Sequence, residues 1–506
     1  MGKDIAGDTL LELLSRGLDN HPAIVSSDGV VVTYSSLRKQ VGMLACQLRS
    51  MGIQQSDRVG IVQPNGVESI ISFLAVTIAG TAAPLNPAYK SDEFEFYLDD
   101  TNAKGLITSD DVGADARNLI GNDILDIRVS STSEGLVKFT NENIDDYAQH
   151  DIAPDEDDIA LVLHTSGTTS RPKRVPLRHR NLIVSVRNIV ETYSLTSTDV
   201  SLCIMPLFHV HGLVASTLAT LYSGGTIVVP PSFSPMGFWQ LVKEHDVTWF
   251  SAVPTMFQSV LSRTRGKTVA GETKLRFIRS CSAALSPITL KEMEDVSGVP
   301  VVEAYGMTEA AHQMASNLLP PGQRVPGSVG QGTGVKIAIM DEEDHLQPTG
   351  TIGEVVISGA NVIDGYESNE EANASSFVGQ WFRTGDRGVL NEEGVLTLQG
   401  RLKELINRSG EKISPIEIDE VLLSHECVSE AVAFGVPHSV HGEEPVAAVV
   451  LKNDISEREL INFCKEKIAT FKVPRKIHIV ESIPRTATGK IQRRIVAEVI
   501  TGKSSQ

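Results

Sequence analysis

Two glycine-flanked polar segments, more than three hundred residues apart, carry the residue types that a polyphosphate requires. The first is Thr165-Ser166-Gly167-Thr168-Thr169-Ser170-Arg171-Pro172-Lys173-Arg174. Its hydroxyls and exposed backbone N–H groups are donors for phosphate oxygens, and Gly167 lets the backbone approach closely. The spacing is not that of a Walker A loop, because Gly-x-x-x-x-Gly-Lys-Ser/Thr is absent. On spacing alone a Ser/Thr-rich surface turn competes with this reading. The second segment, Pro484-Arg485-Thr486-Ala487-Thr488-Gly489-Lys490-Ile491, offers a glycine-flanked lysine. Together they imply a nucleotide handled in two parts, one loop cradling phosphates and a distant lysine bringing a cation to them. The Gly330-x-Gly332-x-Gly334 stretch reads as a tight turn between strands rather than a dinucleotide site.

The elements that must position these loops alternate in period. Leu37, Val41, Leu44, Ala45 and Leu48 recur at helical spacing, and Asp57 to Val62 follows as a short strand. A second helix is expected over Val67 to Ala79, leading into Thr81-Ala82-Ala83-Pro84-Leu85. This β-α-β-α rhythm favours parallel sheets covered by helices. Ile159 to His164 is a continuous apolar strand, and the hydroxyl loop starts where it stops, at the carboxyl end where α/β sheets bind ligands. From about Arg401 charges become dense and short strands alternate with helices; Ser456-x-x-Glu459 reads as a capping box ahead of a stripe of Leu460, Ile461, Cys464 and Ile468. We therefore expect residues 1–400 as one large domain and 401–506 as a small α+β domain.

The 506 residues are 41% apolar and 21% charged, ordinary for a globular protein. A net charge of −18 disfavours nucleic acid or an anionic membrane as the main partner. The basic run Arg171, Lys173, Arg174, Arg178 and Arg180 then reads as the flank of a phosphate loop. Five cysteines at no metal-ligand spacing fit reduced thiols. The first residues lack an apolar signal core, no apolar run has membrane-spanning length, and the end, Ser504-Ser505-Gln506, is not Ser-Lys-Leu. The expectation is a cytoplasmic protein without an obligate protein partner; a peroxisomal address would require a trimmed C-terminus.

In their order, these segments resemble the adenylate-forming superfamily of acyl-CoA synthetases, luciferases and adenylation domains. The resemblance runs through Pro206-Leu207-Phe208-His209-Val210-His211-Gly212, Tyr305-Gly306-Met307-Thr308-Glu309, Trp381-Phe382-Arg383-Thr384-Gly385-Asp386 and Gly400-Arg401-Leu402-Lys403-Glu404, essentially the whole chain. It implies a large domain of stacked α/β sheets with a β-barrel-like subdomain, and a small mobile lid. It also implies ATP, Mg²⁺ and coenzyme A as ligands. Thr165, Ser166, Gly167, Thr168, Thr169 and Lys173 would meet phosphates, with Thr308 donating to them. Glu309 would bind the magnesium, and Lys490 would bridge carboxylate and α-phosphate. Ser282, Ala283 and Ala284 would face Glu303, Ala304 and Tyr305 across adenine, with Asp386 and Arg401 on the ribose. Lys403 would be the hinge, and Ser409, Gly410 and Lys412 would contact coenzyme A. Ser170 and Arg174 depart from the family pattern, which has glycine at both positions.

For the acid, the resemblance places His209 where relatives gate or line the acyl pocket. Ser282 and His312 add polar groups nearby. A long alkyl chain would not tolerate them, since each unpaired buried polar group costs about 1–3 kcal/mol. A short, polar, dianionic acid is the expectation. The version of the loop found here, with Thr308-Glu309-Ala310-Ala311-His312-Gln313-Met314, resembles oxalate–CoA ligases more closely than the general family. That implies His209, Ser282 and His312 on the second carboxylate. A stand-alone adenylation enzyme that loads a carrier protein, or a ligase for another short or aromatic acid, is the alternative.

Overall fold

The computed structural model describes residues 9–121, 123–141, 152–165, 172–264, 266–485 and 491–502. Helix Val67–Ala79 is buried on every face, Glu68 alone being partly exposed. A helix that is apolar all round must lie inside, and this one packs between strands of two large sheets. One is seven-stranded and runs, edge to edge, Val137–Thr140, Leu125–Ser131, Ala103–Thr108, Arg58–Val62, Thr81–Pro84, Ile159–Thr165 and Lys173–Arg178. Its interior pairings are parallel and its two outermost ones antiparallel. The other has nine strands, with Trp249–Ala252, Phe277–Ser280 and Val301–Met307 side by side and parallel. Near-continuous apolar strands are what a sheet covered on both faces requires. The α/β class expected from the alternating periods is the class observed.

Beyond residue 330 the pairings are antiparallel, except that Gly442–Leu451 and Lys476–Ile479 run parallel. Lys336–Met340, Leu346–Gln347, Ile352–Ser358, Phe377–Val378, Trp381–Leu390 and Leu396–Arg401 form a six-stranded sheet. Strands Ile406–Arg408, Glu411–Ile413, Val428–His438, Gly442–Leu451 and Lys476–Ile479 form a separate five-stranded one. That last sheet has its own core, in which Ile406, Ile418, Leu422, Val449, Leu460 and Cys464 are buried together. Sheet membership thus changes between Arg401 and Ile406, across the short 3₁₀ turn Leu402–Glu404. The capping box at Ser456 and Glu459 starts helix Glu457–Lys467 with both reciprocal bonds in place. Gly330 and Gly334, both at positive φ, flank the two-residue edge strand Gln331–Gly332, a turn glycine's use. Among the described residues no helix is long and apolar enough to cross a membrane.

Candidate active site

The strands Trp249–Ala252, Phe277–Ser280 and Val301–Met307 end at a common edge, and the polar motifs collect there. Register pairs Ser280 with Glu303, so 282–284 emerge beside 303–305. Ala283 and Ala284 are exposed, while Glu303, Ala304 and Tyr305 are buried. Burial pushes the Glu303 carboxyl up to about 7, against the Gly327 N–H, which donates to it at 3.2 Å. The Tyr305 hydroxyl donates to Asp386 Oδ2, and Arg401 Nε reaches Asp386 Oδ1 at 2.8 Å. Burial raises the Tyr305 phenol well above its ordinary range, which keeps it a donor. Tyr305 therefore braces the carboxylate expected at the ribose, a contact that sequence did not foretell.

On the phosphate side, Thr165 and Lys173 are register partners at the mouth of a hairpin. Ser166, Gly167, Thr168 and Thr169 lie outside the described residues, as do Ser170 and Lys490. Lys173 Nζ stands 4.3 Å from the centroid of the Tyr366 ring. Partial burial and the nearby Lys403 lower its pKa, while Glu309 opposes the shift. Tyr366 Oη donates to Glu309 Oε1 at 2.8 Å. Thr308 and Glu309 sit in the 3₁₀ turn Thr308–Ala310, pinned by Asn361 Nδ2 on the Ala310 carbonyl at 2.8 Å and by Ser185 Oγ on that of Ala311 at 2.6 Å. Arg174, which replaces a family glycine, pairs through Nε with Glu367 at 3.3 Å and also bonds the Asp100 carbonyl. The departure thus ties the hairpin to Glu367, the neighbour of Tyr366.

The expected acid pocket contains more than the expected residues. Gln313 follows His312, and both are buried beside the wholly buried Arg279, in the middle of strand Phe277–Ser280. Arg279 donates from Nε to Tyr193 Oη at 3.0 Å, from Nη1 to Ser251 Oγ at 2.9 Å, and from Nη2 to Gln313 Oε1 at 3.0 Å and His312 Nδ1 at 3.3 Å. Ser251 Oγ lies 2.6 Å from His211 Nε2, and His211 Nδ1 lies 3.2 Å from Ser282 Oγ. The His211 and His312 rings are 5.1 Å apart. Backbone strain gathers here too: Ser282, Ala311 and His312 have φ of 74, 48 and 102°. His209 was the histidine expected to line the pocket; the structure adds His211, whose Nδ1 lies 3.2 Å from Ser282 Oγ. His209 Nδ1 accepts the His211 N–H at 3.2 Å, at the start of the π-helical segment His211–Leu218. Gly212 is obligatory in that turn: a Cβ would meet the Pro206 carbonyl oxygen at 2.3 Å.

Lys403 is exposed in the turn between the last two sheets, close enough to Lys173 to act on its charge. Ser409 and Gly410 form the two-residue hairpin turn between Ile406–Arg408 and Glu411–Ile413, with φ of 53 and 89°. Ser409 Oγ lies 2.8 Å from His441 Nδ1, and Lys412 pairs with Glu342 on the six-stranded sheet. Sequence reading missed Arg279, Ser251 and Tyr366. Arg279 left a faint signal, a charge directly after the apolar pair Phe277 and Ile278; Ser251 and Tyr366 left none.

The sequence matches the AMP-binding enzyme family over residues 15–367 and the AMP-binding enzyme C-terminal domain over 417–490. It is 45% identical to an oxalate–CoA ligase of Arabidopsis thaliana, over 97% of both chains. It is 42% identical to one of Saccharomyces cerevisiae, over 96% of both. A crystal structure of ATP-bound MatB from Rhodopseudomonas palustris superimposes with a TM-score of 0.86 at 30% identity, covering 97% of this chain and 98% of that one. With the two family regions in order and near-complete coverage by these relatives, the chain belongs to the AMP-binding enzyme family.

Proposed function

We propose that the protein is an ATP-dependent acid–CoA ligase whose acid is a small dicarboxylate, oxalate. The observation that carries the choice of acid is the hydrogen-bonded polar cluster of the buried Arg279, His211, His312 and Ser251, which the half-buried Ser282 joins, a surface that offers donors to a carboxylate and little to an alkyl chain. The oxalate–CoA ligases among its relatives support the same reading.

In the first half-reaction a carboxylate oxygen attacks the α-phosphorus of ATP. The bond to the bridging oxygen breaks, and pyrophosphate leaves with that electron pair. Anions are brought together, so cations must offset charge as it develops. Lys173, Thr165 and Thr308 stand at the phosphate side, and we assign Lys490 to the reacting carboxylate and α-phosphate from its place in the family motif. In the second half-reaction the coenzyme A sulfur attacks the acyl carbon, the acyl–oxygen bond breaks, AMP leaves, and the thiol proton passes to solvent. We assign Lys403 as the pivot about which residues 401–506 turn between the halves, because the chain changes sheets there. Ser409, Gly410 and Lys412 would then meet coenzyme A, the exposed glycine turn allowing close approach.

Glu309 suits a magnesium ion: its carboxylate is a hard oxygen donor, buried, and oriented by Tyr366. Bound there, the ion would supply positive charge to the phosphate oxygens. Tyr366 holds the carboxylate, and Lys173 places its ammonium beside it.

Pyrophosphate release should be measured with ATP and Mg²⁺ over oxalate, malonate, acetate, coumarate and palmitate, each with and without coenzyme A. Turnover on oxalate that requires coenzyme A is the expected result. Preference for a monoacid or a long chain would overturn the acid, and multiple turnover that needs a carrier protein instead would overturn the acceptor.

A further inference from the structure

Arg174, Arg178 and Arg180 of the basic run converge on one segment, residues 360–367. Arg178 Nε and Arg180 Nη2 reach Asp364 Oδ2 at 3.3 and 2.6 Å, but the Asp364 side chain is 65% exposed and solvent screens both pairs. The Arg174 pair is more enclosed, with side chains 19% and 16% exposed. Glu367 accepts from Arg174 Nε at 3.3 Å and from Arg58 Nη2, on another strand of the same sheet, at 2.5 Å. Arg174 Nη1 also donates to the Asp100 carbonyl. The Asp100 carboxylate lies 3.6 Å from that nitrogen and 2.9 Å from His164 Nε2. Two arginines and two carboxylates cancel, so the cluster adds little to the pull on a polyphosphate. Its work is to hold.

What it holds is Tyr366. The Glu367 N–H donates to the Arg174 carbonyl at 3.2 Å, on one side of Tyr366. Asn373 accepts from the Tyr366 N–H at 2.7 Å and donates to its carbonyl at 2.9 Å. Three residues earlier, the Ile363 N–H donates to the Glu309 carbonyl at 2.9 Å. Lys173 meets Tyr366 and Arg174 meets Glu367, two consecutive contacts that fix the hairpin strand against the segment in one register. Because neighbours on a strand point to opposite faces, Lys173 and Arg174 grip the segment from two sides.

We propose that Arg174 is a positioning residue for Glu309. Through Glu367 it fixes Tyr366, and Tyr366 sets the Glu309 carboxylate and the Lys173 ammonium at one spacing. The phosphate hairpin and the carboxylate are thereby held as one unit. This rests on the assignment of Glu309 to magnesium above.

The test compares the wild-type enzyme with R174M, R174K, E367Q, R180M, Y366F and the double variant R174M/Y366F. Hydrogen exchange of the ligand-free protein, read on peptides spanning residues 361–368, needs no turnover. R174M and E367Q should speed that exchange by ~10-fold or more, while peptides of the five-stranded sheet exchange as in the wild type. R180M, which cuts a screened pair, should change it by less than about twofold. In pyrophosphate-release assays at fixed ATP, R174M and E367Q should each raise the Mg²⁺ concentration for half-maximal rate by ~3–5-fold. The oxalate KM should stay within about twofold, the split expected when binding of one ligand alone is weakened. R174K, which restores one charged contact, should recover part of the shift. Because Arg174 acts through Tyr366, R174M/Y366F should be no worse than Y366F. If R174M does not fold, R174K and E367Q carry the same comparison. Unchanged exchange or an unchanged Mg²⁺ midpoint in E367Q, shifts that multiply in the double variant, or an oxalate KM that rises with the midpoint would overturn the proposal. A Y366F midpoint equal to that of the wild type overturns the assignment of Glu309 itself, and the proposal with it, whatever the exchange.

Discussion

Tyr366 joins two groups that we assign to the phosphate chemistry: its hydroxyl holds Glu309 at 2.8 Å while the Lys173 ammonium lies 4.3 Å from the centre of its ring. The ring stabilises the cation through its face, and the hydroxyl fixes one carboxylate oxygen. Burial and the Glu309 charge both raise the phenol's pKa, so the group stays protonated and goes on donating. A single side chain thereby sets both signs of charge beside the phosphate hairpin.

Y366F should keep the ring and lose the hydroxyl. The Glu309 carboxylate would then be less well oriented, and the Mg²⁺ concentration for half-maximal pyrophosphate release should rise by ~10-fold or more, the scale of one hydrogen bond to a charged group. Y366A should be worse, since Lys173 also loses its platform. A Mg²⁺ titration of both variants at fixed ATP checks this; an unchanged midpoint in Y366F would mean the bond does not orient Glu309.

H312A should damage oxalate use and spare ATP. The ring lies beside Arg279 and His211. Oxalate kcat/KM should fall by ~100-fold, a loss of two to three hydrogen bonds at ~1 kcal/mol each with strain relief set against it, while ATP binding measured by calorimetry stays near wild type. Equal loss of both would remove His312 from the acid pocket.

D386N tests the other end of the cleft. Asp386 is braced by Tyr305 and Arg401, and an amide there would turn an N–H toward one of two donors. The ATP KM should rise by ~10-fold or more from the lost charge-assisted bonds. The ratio of oxalate to malonate turnover should not move, because we assign that choice to His312 and Ser282.

Glu303 predicts a pH dependence of stability. Its carboxyl titrates near 7 in the folded protein, against an ordinary value of 4.5, because burial disfavours the charge. Between those values the folded state holds a proton that the unfolded chain has released, so stability falls as pH rises through this window. The contribution is on the order of 3 kcal/mol, at 1.36 kcal/mol per unit. In urea titrations from about pH 4.5 to about pH 7.5, E303Q should lose that slope and be the more stable protein at the upper end, provided the amide keeps the bond from Gly327. A wild-type slope identical to that of E303Q would place the titration elsewhere.

What could be read along the chain was whatever depends on near neighbours. The largely apolar run Val67–Ala79 read as a helix, Ser456 and Glu459 as the start of one, and Ile159 to His164 as an apolar strand. The change of texture near Arg401 coincides with the change of sheet. The order of the motifs was enough for the family, because each motif is a local loop with its own geometry.

The contacts that set the chemistry were not local. Whether His209 or His211 meets Ser282 depends on a π-helical segment that no periodicity announces, forced by the close approach of Gly212 to Pro206. Arg279 was visible as a charge directly after Phe277 and Ile278, but its hydrogen bonds go to Ser251, 28 positions away and opposite it in register, and to His312, 33 positions away. Tyr366 reaches Glu309 across 57 residues. The sequence by itself determined the elements, the order of the loops and the family, since those follow from side-chain period and backbone preference. Only the tertiary structure decided which polar groups share a buried space, because the cost of burying a charge depends on which acceptors the register of distant strands brings within bonding distance.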